Sequence, residues 1–136
     1  MTAHKQLYRI LDANFNRAKE GLRVCEDICR YVWDDKNLTR RLKTLRHGLS
    51  STLSRGEFLI FIEARNIQGD VGKAAIAAET RRKDVTDIFW ANAQRVKESL
   101  RVLEEVLKVL DASAAQQIKL MRYRMYALEQ KAIKRL

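Results

Sequence analysis

The chain has 136 residues, of which 46% are hydrophobic, and its 27 lysines and arginines against 17 aspartates and glutamates give a formal net charge of +10. This length fits one compact domain. The high content of apolar residues excludes a disordered tail. The absence of proline and the presence of only five glycines disfavour a turn-rich β-sandwich or β-barrel.

Apolar residues recur at spacings of three and four in four segments, which predicts four helices. The first segment carries this pattern from Leu7 to Cys29. The second begins near Asn37 or Thr39 and is expected to end at Gly56. The third covers about 84–110, and the fourth runs from Ser113, the expected N-cap, to the C-terminus.

The stretch 56–82 interrupts the helical pattern and holds three of the five glycines. Residues 58–62 form a short apolar run that fits either a strand or a buried helical turn, and 74–80 suggests a short helix. Between them, the polar stretch 65–72 is typical of an ordered loop. A connection of this length inside a small domain usually has a function.

An internal repeat organises the chain. The segment 13–26 recurs at 91–104 with an offset of 78, and nine of the fourteen positions are identical. We therefore expect an all-α four-helix bundle, built from a duplicated helical hairpin with pseudo-twofold symmetry and one long crossover at about 56–82. Residues 1–136 are expected to form a single domain, with repeat 1 at about 4–55 and repeat 2 at about 83–136.

The repeat preserves polar residues, although a duplicated core needs only its apolar stripe. The preserved polar pairs are Asn14/Asn92, Arg17/Arg95, Glu20/Glu98, Arg23/Arg101 and Glu26/Glu104. On a helical wheel Asn14, Arg17 and Gly21 fall between two apolar arcs, so we expect them to be at least partly buried. A buried arginine needs a counter-charge, so two matching rows of arginine predict an anion-binding cleft. Arginine–glutamate ion pairs are the alternative.

Further candidates lie outside these rows. Arg46 and Arg122 match at an offset of 76, and we expect Arg122 to face inward. Residues 65–72 of the crossover are expected to add a backbone nest, with Asp70 as a carboxylate for Mg²⁺. Cys25 and Cys29 share one helix face and are expected to be reduced core thiols, because no other cysteine is present to complete a metal site.

These motifs together resemble a known family. The matching rows are Leu11–Asp27, Leu45-Arg46, Ala64–Gly72, Ala91–Glu105 and Met121–Glu129. In order and spacing they are similar to a small helical family of hydroxymethylpyrimidine-phosphate kinases, a domain often fused ahead of thiamine-phosphate synthase. Two positions depart from the pattern: Ser99 stands where the first repeat has Gly21, and Asn66 follows Arg65 where an aspartate is expected.

The resemblance implies a role in thiamine biosynthesis. ATP, accompanied by Mg²⁺, would phosphorylate the monophosphate of 4-amino-5-hydroxymethyl-2-methylpyrimidine to its diphosphate. From motif and charge, the catalytic residues are expected to be Arg17, Arg23, Arg95, Arg101 and Asp70, with Asp70 also holding Mg²⁺. Substrate or phosphate binding is assigned to Asn14, Glu20, Arg46, Arg65, Gly72, Asn92, Glu98 and Arg122.

Two interpretations without catalysis stay open. A nucleic-acid-binding bundle would expose its basic residues on one outer face, whereas a partner-binding scaffold would fill its arginine rows with its own glutamates. Because the repeated rows mix arginine with glutamate, we expect much of the charge to serve a cleft for small phosphates, and nucleic acid is the less favoured partner. A thiamine-phosphate synthase domain, fused or separate, and a second copy of the chain are further expected partners. Without a membrane span or an apolar leader, the expected location is the cytoplasm.

Overall fold

The computed structural model describes residues 3–76 and 80–135. Within these ranges the chain forms five α-helices and no strand, which confirms the all-α prediction. The helices are α1 Ala3–Asp27, α2 Lys36–Ser51, α3 Arg55–Glu63, α4 Val85–Leu110 and α5 Ala112–Ala132. α1 continues into a π-helical turn, Ile28–Val32, and α5 into a 3-10 turn, Ile133–Arg135.

Four of these helices form the predicted bundle. α1 packs against α4 and α2, and α5 packs against the same two helices, so the α1–α4 pair and the α2–α5 pair lie on opposite sides of the bundle. The apolar stripes meet in one core, whose largest buried side chains include Phe15, Leu22, Leu42, Phe89, Leu103, Ile118 and Met125. None of the described helices is both long and apolar enough to cross a membrane.

The two hairpins make matching contacts, which confirms the duplication. The side-chain amide of Asn14 donates to the carbonyl of Ile10, and the amide of Asn92 donates to the carbonyl of Ile88, both at 2.9 Å. The second helix of each hairpin begins after an aspartate whose carboxylate accepts a backbone N–H three residues later. These N-caps are Asp35 with Leu38 at 2.9 Å and Asp111 with Ala114 at 3.1 Å.

Two helix boundaries differ from the prediction. α5 begins behind Asp111 and not behind Ser113, because the Asp111 carboxylate captures a free N–H of the first turn. α2 ends at Ser51, so the expectation that it extends to Gly56 is wrong. Gly56 instead lies inside α3.

α3 occupies the first part of the crossover. Ser54 starts this helix, because its hydroxyl accepts the N–H of Glu57 at 3.1 Å. The apolar run 58–62 is therefore helical and not a strand, and Phe61 packs on Phe15 of α1 with ring centroids 6.2 Å apart. The packing of α3 on α1 brings the rest of the crossover to the α1–α4 side.

After α3 the crossover has little regular structure. Residues 65–72 form a loop, as expected. Of the short helix predicted at 74–80, residues 74–76 are not helical, and 77–79 lie outside the described residues.

α1 and α4 approach each other closely at Gly21. A Cβ at this position would lie 2.8 Å from Val96 Cγ2 and 3.1 Å from the backbone oxygen of Asn92. Ser99, at the matching position of α4, is also buried, and its hydroxyl donates to the Arg95 carbonyl of its own helix at 2.7 Å. Small residues therefore set the distance between the two helices.

Cys25 and Cys29 are both fully buried and free, as expected for core thiols. The Cys25 thiol lies 3.6 Å from the carbonyl oxygen of Phe89. Burial raises the pKa of the Cys25 thiol far above its ordinary value and raises the pKa of Cys29 to about 12. Both thiols are therefore protonated and unreactive near neutral pH.

Gly21→Ala is expected to lower the free energy of unfolding by about 1–3 kcal/mol, because the added methyl group overpacks the α1–α4 contact. Gly48→Ala is the matched control, since its Cβ would lie 3.5 Å from the terminal methyl of Met121, an ordinary contact. Alanine is the better helix former, so Gly48→Ala is expected to raise stability by about 0.5–1 kcal/mol. Urea denaturation compares the two variants, and equal effects would contradict the close approach.

The buried thiols are expected to lower stability at alkaline pH. An unfolded thiol ionises above about pH 8.5, whereas folded Cys25 stays protonated, so the unfolded state is favoured as pH rises beyond that value. Cys25→Ala lacks this contribution. Relative to Cys25→Ala, wild type should lose up to about 1.4 kcal/mol per pH unit between about pH 9 and 11 in urea denaturation. A pH-independent difference between the two proteins would disprove the assignment.

Candidate functional site

Two adjoining grooves on the α1–α4 side share Asn14 and Arg17 as lining residues, and together they are called the α1–α4 cleft. One groove, of about 440 Å³, lies between α1, α4 and residues 72–73. The other, of about 550 Å³, lies between α1 and the earlier part of the crossover. The cleft brings together a large part of the predicted site: Asn14, Arg17, Arg65, Asp70, Gly72, Arg95 and Glu98.

Asn14 lines both grooves and is 4% exposed, which confirms that it is buried. Its side-chain N–H group is used by the carbonyl of Ile10. Among the described residues, Arg17 Nη1 alone donates to its Oδ1, in a long hydrogen bond of 3.4 Å. Because an amide oxygen has two lone pairs, Asn14 can still accept a hydrogen bond from a ligand.

Arg17 and Arg95 line the same groove from facing helices. Arg17 is exposed, so the expectation that it is partly buried is wrong. Arg95 is exposed too, and no hydrogen bond or ion pair of its guanidinium is found within 3–76 and 80–135. The groove thus has two guanidinium groups that form no ion pair within the described chain, beside the single carboxylate of Glu98, and this arrangement is suited to a phosphate.

An ion pair anchors the crossover to α1. Arg65 Nε and Nη2 donate to the two carboxylate oxygens of Asp12 at 2.5 and 2.8 Å, and Asp12 is 6% exposed. The hydrogen bond with Asp12 raises the pKa of the Arg65 guanidinium. A bidentate pair of this kind fixes orientation as well as position. It therefore holds the following residues, 66–73, at the cleft.

Asp70 and Gly72 form a short turn in this segment, in which Asp70 Oδ1 accepts the Gly72 N–H at 2.9 Å. Asp70 lines one groove of the cleft and Gly72 the other. The described residues contain no group of three His, Cys, Asp or Glu side chains that could hold a metal ion. A Mg²⁺ ion at Asp70 would therefore take its other ligands from a bound phosphate and from water.

Arg46 and Arg122 hold glutamates of their own hairpins. Arg46 donates to Glu26 at 2.9 and 3.3 Å, and Arg122 donates to Glu104 at 3.0 and 3.2 Å. Arg122 faces inward, as expected, and also donates to the hydroxyl of Tyr126 at 3.0 Å. At these two positions the repeated polar residues form buried ion pairs, which is the outcome that the scaffold interpretation expects.

The remaining predicted residues lie apart from the cleft. Arg101 is exposed and pairs with Glu104 and Glu105 of its own helix, both at 3.1 Å. Asn92 bonds to its own helix and does not line either groove. A separate groove beside α1 and α2 is lined in part by Glu20, Arg23 and Arg46.

Sequence reasoning assigned no site role to several residues of the cleft: Arg9, Asp12, Lys73 and Ser99. Asp12 was missed because the candidates on α1 and α4 were those that recur in both repeats, and the position equivalent to Asp12 is Trp90. The sequence signal that could have identified Asp12 is that it is an acidic residue beside the apolar stripe of α1 and that the second repeat has no acidic residue at the matching position.

Most of the excess of positive charge lies outside the cleft, which corrects the expectation from the repeat. α1 and α4 carry nine lysines and arginines against eight acidic residues. α2 carries five basic residues and no acidic one, and residues 112–135 carry six against the single acidic residue Glu129. The surplus of ten charges is therefore carried by the α2–α5 side of the bundle.

The chain matches the model of the ThiD2 family over residues 9–131. Three similar proteins are each named thiamine-phosphate synthase. The one from Rhodopirellula baltica is 41% identical over 90% of this chain and 33% of that protein. The one from Synechocystis sp. is 43% identical over 89% of this chain and 34% of that protein. The one from Thermosynechococcus vestitus is 41% identical over 93% of this chain and 35% of that protein. The chain thus spans about a third of the length of these relatives, and no solved structure matches it.

Glu104→Gln is expected to lower the free energy of unfolding by about 3–5 kcal/mol, because it leaves the buried Arg122 guanidinium without its counter-charge. Glu105→Gln removes the same charge one residue further along, on the exposed face of α4, and is expected to have a much smaller effect on stability. Urea denaturation of both variants makes the comparison. Similar losses would mean that the Arg122 pair contributes no more than a surface pair.

Proposed function

Because the chain belongs to the ThiD2 family, we propose that it acts in thiamine biosynthesis as a phosphotransferase. The proposed reaction transfers the γ-phosphoryl group of ATP to hydroxymethylpyrimidine monophosphate and gives the pyrimidine diphosphate and ADP. The names of the relatives support the pathway. The reaction itself is supported by the resemblance of the motifs and by the chemistry of the α1–α4 cleft.

The observation that carries this proposal is the pair of exposed guanidinium groups, Arg17 and Arg95, in one groove. Two phosphorylated substrates repel each other, and negative charge spreads over the oxygens of the transferred group in the transition state. Arginines from both helices would offset this repulsion, and Lys73 adds a cation from the crossover. We assign Arg17 and Arg95 to the phosphates of the two substrates.

The chemical step needs little help with proton transfer. A phosphate oxygen of the pyrimidine monophosphate attacks the γ-phosphorus of ATP, the bond to the bridging oxygen breaks, and ADP leaves. Since the second pKa of a phosphate monoester is near 6, the attacking oxygen is already ionised near neutral pH. Positioning and charge are then the main tasks of the protein, which agrees with a cleft rich in arginine.

Mg²⁺ enters this reaction as part of the MgATP substrate. The Asp70 Oδ1 atom is occupied by the Gly72 N–H, so the second carboxylate oxygen is the one assigned to the metal ion. Mg²⁺ is commonly held by one or two carboxylates together with substrate phosphates, so a single aspartate is sufficient here. The Asp12–Arg65 pair supports this role by holding the segment that carries Asp70.

Asn14 is assigned to the pyrimidine ring. Its buried Oδ1 has a free lone pair at the bottom of the cleft, which suits the exocyclic amino group of the substrate as a hydrogen-bond donor. Asn92 has no such position in the cleft. This difference favours the Asn14 side of the cleft as the pyrimidine site.

The proposed partner is a thiamine-phosphate synthase, which would consume the diphosphate. The matched part is about a third of each relative of that name, so kinase and synthase would share one polypeptide in those proteins. For this chain we propose a thiamine-phosphate synthase as the partner, either as a domain of the same polypeptide or as a separate protein.

The direct test is to incubate the protein with MgATP and the pyrimidine monophosphate and to separate the products by anion-exchange chromatography. Equal amounts of ADP and pyrimidine diphosphate are expected. ADP without the diphosphate would indicate hydrolysis instead of transfer. Absence of both products from a correctly folded protein would refute the kinase proposal.

Arg17→Ala and Arg95→Ala are each expected to lower kcat/KM at least about 100-fold, because each removes a charged contact to a phosphate in the transition state. Arg82→Ala is the matched control. It removes an exposed arginine of the crossover whose guanidinium donates to the neighbouring Arg81 carbonyl, and it is expected to change kcat/KM less than about twofold. Steady-state kinetics of the three variants provides the measurement. A larger loss in Arg82→Ala would move the site to the end of the crossover.

A further inference from the structure

A groove of about 360 Å³ lies on the α2–α5 side of the bundle and takes no part in the proposed phosphoryl transfer. Arg40 and Arg41 line it from α2, and Arg124 lines it from α5. Leu45 and Leu128, which are both buried, give it an apolar floor. Because the α1–α4 and α2–α5 pairs are on opposite sides, this α2–α5 groove is separate from the α1–α4 cleft.

The helical spacing places charge beside apolar surface in this groove. Arg41 lies one turn before Leu45 on α2, and Arg124 lies one turn before Leu128 on α5. A ligand between the two helices would therefore meet guanidinium groups and leucine side chains from both of them.

The guanidinium groups are available to a ligand. Within the described ranges, Arg40 and Arg124 have no hydrogen-bond or ion-pair partner. Arg41 donates one hydrogen bond, from Nε to Asn37 Oδ1 at 2.9 Å. No lining residue in the described part of the chain is acidic, so the three positive charges repel one another, and a bound anion would relieve this repulsion.

These arginines do not follow the internal repeat. At the offset of 76, Arg40 and Arg41 correspond to Gln116 and Gln117, and Arg124 corresponds to Gly48. They therefore differ from the repeated, glutamate-paired arginines of the hairpins. The charge of the α2–α5 groove is a property of this groove and not a product of the duplication.

We propose that the α2–α5 groove is a second binding site, for a small phosphorylated ring compound. Its phosphates contact Arg40, Arg41 and Arg124, and its ring lies on Leu45 and Leu128. The volume is within the range of small-molecule sites. A nucleic-acid backbone would instead follow the exposed basic residues beyond the groove, and a confined apolar floor contributes nothing to such binding. Occupation of this groove leaves the α1–α4 cleft free.

Isothermal titration calorimetry with ADP, a nucleotide that carries both a ring and phosphates, tests the proposal. Two binding sites per chain are expected. The double variant Arg40→Ala/Arg124→Ala should weaken one of them at least about tenfold, and Arg17→Ala/Arg95→Ala should weaken the other. If the cleft does not bind ADP, the first double variant should still weaken the single remaining site at least about tenfold, so failure of the proposed function is distinguishable from failure of this proposal.

The control is Arg81→Ala/Arg82→Ala, which removes two exposed charges from the crossover and should leave both sites within about twofold of wild type. An equal loss in this control would show that only bulk charge is responsible, and the proposal would fail. It would also fail if the α2–α5 groove did not bind ADP. A single-stranded RNA of about 20 nucleotides tests the nucleic-acid alternative. If the protein binds this RNA but not ADP, and if Lys36→Ala/Lys43→Ala weakens RNA binding as much as Arg40→Ala/Arg124→Ala does, the face is a nucleic-acid surface instead. Unchanged urea midpoints confirm that the variants are folded.

Discussion

The close contact between α1 and α4 is the constraint on which the rest of the structure depends. Gly21 and Ser99, at matching positions of the repeat, leave little side-chain volume between the two helices. Because the helices lie so near each other, the polar residues that flank their contact share one rim. Arg17 of α1 and Arg95 of α4 thereby line a single groove. Larger residues at the contact would separate them and place core side chains where a ligand is proposed to bind.

The duplication supplies a nearly symmetric frame, and the crossover breaks that symmetry. A single connection can dock on only one of two equivalent faces, and Asp12 selects that face by pairing with Arg65. The equivalent position in the second repeat is Trp90, which has no carboxylate to offer. The cleft therefore combines repeated residues with unrepeated ones from the crossover. This combination gives one frame two unlike surroundings, as the two substrates proposed for it would require.

Much of the fold was predictable because it follows a local rule, the period of 3.6 residues, and because the repeat indicated which helices correspond. The failures arose where tertiary contacts decide. Asp111 and not Ser113 caps α5, a choice that depends on backbone geometry within one turn. Spacing correctly placed Arg122 inside the bundle, but it did not distinguish a glutamate partner from a phosphate. Asp12 was not found, because its partner lies 53 positions away in a segment without periodicity.

The matching contacts of the two hairpins give the bundle the character of a homodimer joined into one chain. The α1–α4 contact is isologous, since each repeat presents an equivalent surface to the other. The crossover is then a tether, which makes association of the hairpins intramolecular and replaces a dissociation constant by an effective concentration. Two free copies of one hairpin would carry every substitution twice. In the joined chain each half accepts its own substitutions, as Ser99 at the position that matches Gly21 illustrates, so the two ends of one interface can diverge without loss of pairing.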